Sequence, residues 1–141
     1  MKIKYIKRIV GISAVLVCCS YLYFMIHEKP SKDTYAKKTD VSISSDKLLT
    51  SFSTNETKAN TDFAEKTIEV VGNIKKITHI NNRYTVLLQG QSDTSHVICD
   101  VLPSSIEKVK KLKPGQTVRF KGICKGYLLD VIMLNCILIK G

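Results

Sequence analysis

Leu112-Lys113-Pro114-Gly115-Gln116-Thr117-Val118-Arg119-Phe120-Lys121-Gly122-Ile123-Cys124-Lys125 decides how the second half of this chain folds. Pro114-Gly115 is a turn signal, because proline presets one backbone angle and glycine tolerates conformations closed to other residues. Beyond it, Val118, Phe120 and Cys124 alternate with Arg119, Lys121 and Lys125. That period belongs to a strand with one buried and one wet face. After Lys125-Gly126-Tyr127 a second apolar run, Val131 to Ile139, reads as the returning strand.

The pattern extends upstream. Thr67 to Thr78 reads as a strand in which Val71-Gly72 breaks the alternation, and a glycine there predicts a bulge that lets the strand curl. Asn81-Asn82 predicts a tight hairpin turn. Tyr84 to Gln89 forms the next strand, with Tyr84, Val86 and Leu88 on one face. A looser turn over Gly90 to Thr94 leads to a third strand, His96 to Leu102, with Val97, Cys99 and Val101 aligned. The period then switches. Ser104-Ser105-Ile106-Glu107 fits a capping box, and Ile106, Val109 and Leu112 form the stripe of one short helix. The order β-β-β-α-β-β, with a helix between the third and fourth strands, is that of the five-stranded OB-fold, a Greek-key barrel, here over residues 66–141.

Residues 46–65 predict short helices packed on the barrel. Asp46 is placed to cap one carrying Leu48, Leu49 and Phe52, and Asn55 to cap another with Ala59 and Phe63 on one face. Asn55-Glu56-Thr57 is also a glycosylation sequon, relevant only in a eukaryotic secretory pathway. Residues 27–45 are polar, with Pro30 and no periodicity, and read as a flexible tether. Lys2, Lys4, Lys7 and Arg8, within the basic segment 1–8, precede the uncharged run 9–26. Such a run reaches the roughly 18 residues of a membrane span, and its basic flank predicts a cytoplasmic N-terminus. An uncleaved signal-anchor is preferred to a cleaved signal peptide. A lipoprotein signal comes third, because Leu16-Val17-Cys18-Cys19 lacks the small residue expected before a lipidated cysteine. The barrel is therefore expected on the extracytoplasmic (periplasmic) side of a single-pass membrane protein.

Asn55-Glu56, Ala59, Phe63, Lys66-Thr67-Ile68-Glu69-Val70 and Gly72-Asn73-Ile74, with Val97-Ile98-Cys99, Gly115-Gln116-Thr117-Val118-Arg119-Phe120-Lys121-Gly122 and Leu134-Asn135-Cys136, resemble the tRNA-anticodon-binding-like OB-fold family. The resemblance covers Asp46 onward. It implies a small bacterial protein, often membrane-anchored or a lipoprotein, of a family mostly without assigned function. It supplies no catalytic residues.

The chain carries a formal net charge of +10 and no tryptophan. A basic OB-fold raises single-stranded nucleic acid as a ligand, which needs aromatic platforms in a positive groove. The outward positions of the second and third strands, Thr85, Leu87, Gln89, His96, Ile98 and Asp100, include no Phe, Tyr, Trp or Arg. An extracytoplasmic place also argues against that partner. Lys108, Lys110, Lys111 and Lys113 form a basic patch, and such a run is most often a solvated face. Leu87, Ile98 and Tyr127 are the candidate ligand-face residues.

Of the five cysteines, Cys99, Cys124 and Cys136 fall in the barrel. Disulfides persist outside the cytoplasm. A symmetric hairpin would set Cys124 opposite Cys136, with Cys99–Cys136 as the rival pairing and three reduced, buried thiols as the third outcome. There is no CxxC pair, and His96 and Cys99 differ in strand parity, so neither a metal site nor a cofactor is expected. His27 and His79 have no nucleophile signature beside them, and Asp100 and Asp130 read as isolated carboxylates. The expectation is a non-catalytic binding module for an envelope protein, peptide or glycan. Single-stranded nucleic-acid binding is the alternative, and a purely structural envelope component the second.

Overall fold

The computed structural model describes residues 13–21, 23, 34 and 36–141. The expected span over 9–26 lies partly outside these residues. Residues 13–21 are helical and exposed. Among the described residues no helix is long and apolar enough to cross a membrane. The basic segment 1–8 and residues 27–33 and 35 of the tether also lie outside them.

The remainder is a mainly β structure, with a closed five-stranded barrel consistent with the OB-fold. Strand β1 (Val41–Ser44) leads into helices α1 (Ser45–Thr54) and α2 (Glu56–Phe63). Strands β2 (Thr67–Ile80), β3 (Arg83–Gln89) and β4 (His96–Val101) follow. A 3-10 turn, Pro103–Ser105, runs into the single-turn helix α3 (Ile106–Val109), and β5 (Thr117–Tyr127) and β6 (Val131–Lys140) complete the chain. The sheet order is β1-β2-β3-β4-β6-β5, closed by an extra β2–β5 pairing. Strand β2 makes closure possible because its first half pairs with β5, from Thr67↔Ile123 to Asn73↔Thr117, and its second half with β3. The register shifts between Ile74 and Lys76, and that irregularity bends the strand from one partner to the other.

The bend therefore sits just beyond Gly72, not at it. Gly72 is needed for close approach: a Cβ there would lie 2.5 Å from Ser45 Oγ, which donates to the carbonyl of Gln89. Asn81 and Asn82 both adopt positive φ, 49° and 61°, the mirror-image turn that matches strand twist.

Three local expectations change. The tether is ordered at its end: Asp40 exchanges bonds with Thr67, N–H to carbonyl at 2.8 Å and carboxylate from N–H at 3.0 Å, and β1 adds to β2 in parallel. The cap of α1 is Ser44, whose hydroxyl accepts from Lys47 N–H, with Asp46 in the first turn. The capping box before α3 does not form, because Glu107 pairs with Lys110 and the buried Ser105 hydroxyl accepts from Leu138 N–H. Asn55 caps α2 as read, accepting from Lys58 N–H at 3.0 Å.

The core lies inside the barrel and under α1 and α2. Phe52 of α1 packs against Phe63 and stacks on Tyr127, and Phe120, Ile68, Leu88 and Met133 are fully buried below. At about 25 cal/mol per Å² of apolar area removed from water, burial of Leu48, Leu49, Phe52, Ala59 and Phe63 by the two helices adds to the stability of a small barrel.

Candidate binding face

Strands β3, β4 and β6 share an outer wall whose composition is unusual. Alternation sends Val86, Leu88, Val97, Cys99, Val131 and Met133 inward, where each is buried completely. The same alternation should set polar side chains outside. Instead Leu87, Ile98 and Ile132 form one row across three strands, with Leu87 opposite Ile98 and Ile98 opposite Ile132. Leu134 continues the apolar surface, and all four are half-buried.

Polar groups frame this row. Thr85 faces Asp100 across the strands, and Arg83 Nη2 donates to Asp100 Oδ2 at 2.5 Å. Lys76, exposed, lies opposite Leu87 on the β2 side and has no ion-pair partner among the described residues. The wall curves into a groove of about 400 Å³ lined by Thr78, Ile80, Arg83, Ile98, Asp100 and Leu134 among others. The arrangement fits an apolar ligand surface edged by hydrogen-bonding groups, the usual make-up of a recognition site.

Leu87 and Ile98 thus sit together where parity put them. Tyr127 does not join them. Its ring stacks on Phe52 at 5.8 Å and helps bind α1 to the barrel end, so it packs with the core rather than lining the face. All four lysines of the basic patch are exposed. Lys110 is paired with Glu107 at 2.6 Å, which lowers the Glu107 carboxyl and raises the Lys110 ammonium from their ordinary values. Tyr84 lies close enough to act on the Lys110 charge, and it stacks with His79 at 4.2 Å.

The three barrel cysteines are buried free thiols. The β5–β6 hairpin is not symmetric: its register shifts three times, and Cys124 falls opposite Met133 rather than Cys136. The kink is at Asn135, which takes φ 54°. Cys136 instead lies beside Cys99, under Gly122, where a Cβ would come within 2.7 Å of its sulfur. Burial first, then the neighbouring Cys99, push the Cys136 thiol well up, and burial pushes Cys124 up. Both favour the neutral thiol. His96 and Cys99 lie on opposite walls, and no metal-holding cluster of His, Cys, Asp or Glu occurs among the described residues.

One pairing escaped the sequence. Asp130 Oδ1 accepts from His96 N–H at 2.6 Å and lies 3.3 Å from His96 Nδ1. The parallel alignment of Val97 with Val131 brings these residues together from distant parts of the chain. No local spacing could announce it.

The chain is similar to a solved lipoprotein of Klebsiella pneumoniae, provisionally described as nucleic acid-binding. That likeness has a TM-score of 0.57 and 20% identity, over 79% of this chain and 100% of that one. At that identity it shows a shared fold. It also resembles Pyrococcus horikoshii asparaginyl-tRNA synthetase, TM-score 0.43 and 18% identity, over 56% of this chain and 20% of that one. An OBody bound to hen egg-white lysozyme matches at TM-score 0.44 and 13% identity, over 55% of this chain and 85% of that one. No curated protein matches the chain. Residues 1–138 match the tRNA_anti-like family. The sequence pattern, the closed barrel and that near-complete match lead to one conclusion: the chain belongs to the tRNA_anti-like family.

Proposed function

We propose that this protein is a non-catalytic binding module that takes a protein or peptide segment on the outer wall of β3, β4 and β6. The observation that carries this reading is the half-buried row Leu87, Ile98 and Ile132, continued by Leu134, on a wall that should be polar. Apolar side chains desolvate well against such a row. A glycan would seek aromatic rings to stack on, which this row of aliphatic side chains does not offer, so a peptide fits better than a sugar. In this reading residues 9–26 hold the chain in a membrane as a signal-anchor, with the N-terminus cytoplasmic and the barrel in the extracytoplasmic space. The ligand is then a protein or peptide of the cell envelope.

Panning a peptide display library against the full chain tests the ligand class. Apolar peptides are expected to bind, and Ile98→Asp to weaken them at least tenfold while the chain keeps a cooperative thermal transition. Retention of binding by Ile98→Asp would remove the wall from the reading.

A second reading, single-stranded nucleic acid, has its own support. The His79 and Tyr84 rings stack on each other, and Lys108, Lys110, Lys111 and Lys113 are exposed on one short segment. Stacked rings beside cations are what an unpaired strand needs. A fluorescein-labelled RNA or DNA 12-mer bound with an affinity that falls steeply with salt would favour it over the peptide.

A further inference from the structure

We propose that the β5–β6 hairpin tip, Leu128–Leu129, is a contact for a phospholipid bilayer surface. The inference rests on the membrane-anchor reading of residues 9–26 and adds to it a specific face of the barrel.

Leu128 and Leu129 are 79% and 76% exposed, the two most exposed large apolar side chains among the described residues. Two adjacent leucines at the apex of a turn have no packing role there. Leu129 also has φ 125°, a conformation that favours glycine and costs leucine strain. The turn is nevertheless held firmly: Leu128 N–H donates to the carbonyl of Asp130 at 3.1 Å. The Asp130 carboxylate is turned inward onto His96 N–H at 2.6 Å. The one acid of the tip is thus withdrawn, and the two leucines are presented.

Where the chain enters the barrel says what lies opposite this tip. Asp40 is bound to Thr67, the first residue of β2, and Thr67 pairs with Ile123 of β5. Strand β5 then runs on to Tyr127 and the tip. The incoming chain and the two leucines therefore share one end of the barrel. Exposed Ile80 closes β2 at the far end of that strand. Residues 27–38 span at most about 43 Å when fully extended, which bounds how far this end can lie from a bilayer that holds 9–26. Two leucines are too few to hold a free domain on lipid. A tether supplies the high effective concentration that makes a weak contact count.

The chain has no tryptophan, so a single introduced indole reports alone. The full chain would be reconstituted into phosphatidylcholine–phosphatidylglycerol vesicles as Leu128→Trp, Leu129→Trp and, as the far-end control, Ile80→Trp. Flotation of the wild-type chain is scored alongside. Blue-shifted emission from the two tip variants, quenched at least twofold by bromine-labelled acyl chains, with water-like emission from Ile80→Trp, is the expected result. A chain that fails to float overturns the anchor reading and the contact with it. A chain that floats while both tip indoles stay water-like overturns the contact alone. Blue-shifted emission that bromine does not quench places the tip against protein, and also overturns it.

Discussion

The two walls of the β3–β4–β6 sheet are made by the same strands and differ by a single residue of parity. Inside, Val86, Leu88, Val97, Cys99, Val131 and Met133 have no exposed surface at all. Outside, Leu87, Ile98, Ile132 and Leu134 are as apolar in type but remain half in water. The inner set is explained by stability, since burial of apolar area is what folding gains. The outer set gains less of this, and in the proposed reading its remaining apolar surface serves a ligand. A substitution should therefore cost stability inside and binding outside.

The largest effect is expected at the centre of the inner wall. Met133→Ala should lower unfolding stability by about 2–5 kcal/mol, because lost burial and a residual cavity add together. Urea unfolding with an unchanged m-value measures it. A loss below half a kilocalorie per mole would mean that this wall repacks freely and that the contrast between the walls is overstated. Next comes Asp130→Ala, at the edge where the walls meet the β5–β6 turn. It removes the acceptor of His96 N–H and should cost about 1–3 kcal/mol. Protection of the His96 amide against hydrogen exchange should fall with it.

The buried thiols of β5 and β6 add a pH dependence. Cys124 and Cys136 have folded-state values raised above ordinary thiols by burial. Their protons are held more tightly in the native state than in the unfolded one. The associated stability is complete below the unfolded thiol value of about 8.5 and is lost as pH rises from there toward the folded values. Each thiol adds a slope of at most about 1.4 kcal/mol per pH unit. Unfolding at pH 8 and pH 10 should show the decline, and Cys136→Ala should make it shallower. An equal slope in that variant would assign the decline to other groups.

The two hairpin tips explain how far the sequence could be read. Asn81-Asn82 announced its turn because asparagine tolerates the positive φ that the turn uses, 49° and 61°. Leu128-Leu129 gave no such signal, since leucine is a poor residue for φ 125°. The five barrel strands and the outward parity of Leu87 and Ile98 were legible from the apolar pattern, and the helix between β4 and β5 from a switch in period, whereas β1 was hidden in a stretch that read as tether. Register was not. The shifts in β5–β6 and the positive φ of Asn135 moved Cys136 away from Cys124 and toward Cys99, and periodicity carries no information about where a ladder slips. Tyr127 was misplaced because its partner, Phe52, lies in a helix distant in the chain. The contribution of Ile132 and Leu134 to the outer wall depended on the parallel β4–β6 pairing, which crosses the intervening α3 and β5.

A smaller effect should appear at the tip. Leu129→Gly relieves a strained leucine and should raise stability by about 1 kcal/mol, after the entropy that glycine gives back to the unfolded chain. If the tip contacts lipid, the same variant should weaken that contact while it strengthens the fold. Opposite signs in the two measurements would separate presentation of the leucines from any packing role.

Ile98→Ser should have the smallest effect on folding and is the sharpest test of the contrast between the walls. Ile98 sits between Leu87 and Ile132, half-buried, on a strand whose other side is fully occupied by Val97 and Cys99. Serine removes most of the apolar area and the cross-strand contacts with Leu87 and Ile132 but leaves every ladder hydrogen bond intact, so stability should fall by no more than about 1 kcal/mol. Serine also has lower strand propensity than isoleucine, which works in the destabilising direction. A loss of several kcal/mol would therefore mean that Ile98 belongs to the core and that the outer row is a thickening of it. An unchanged fold with weakened peptide binding would mean that isoleucine at this position serves the ligand. The two walls would then be one sheet with two separate selective demands.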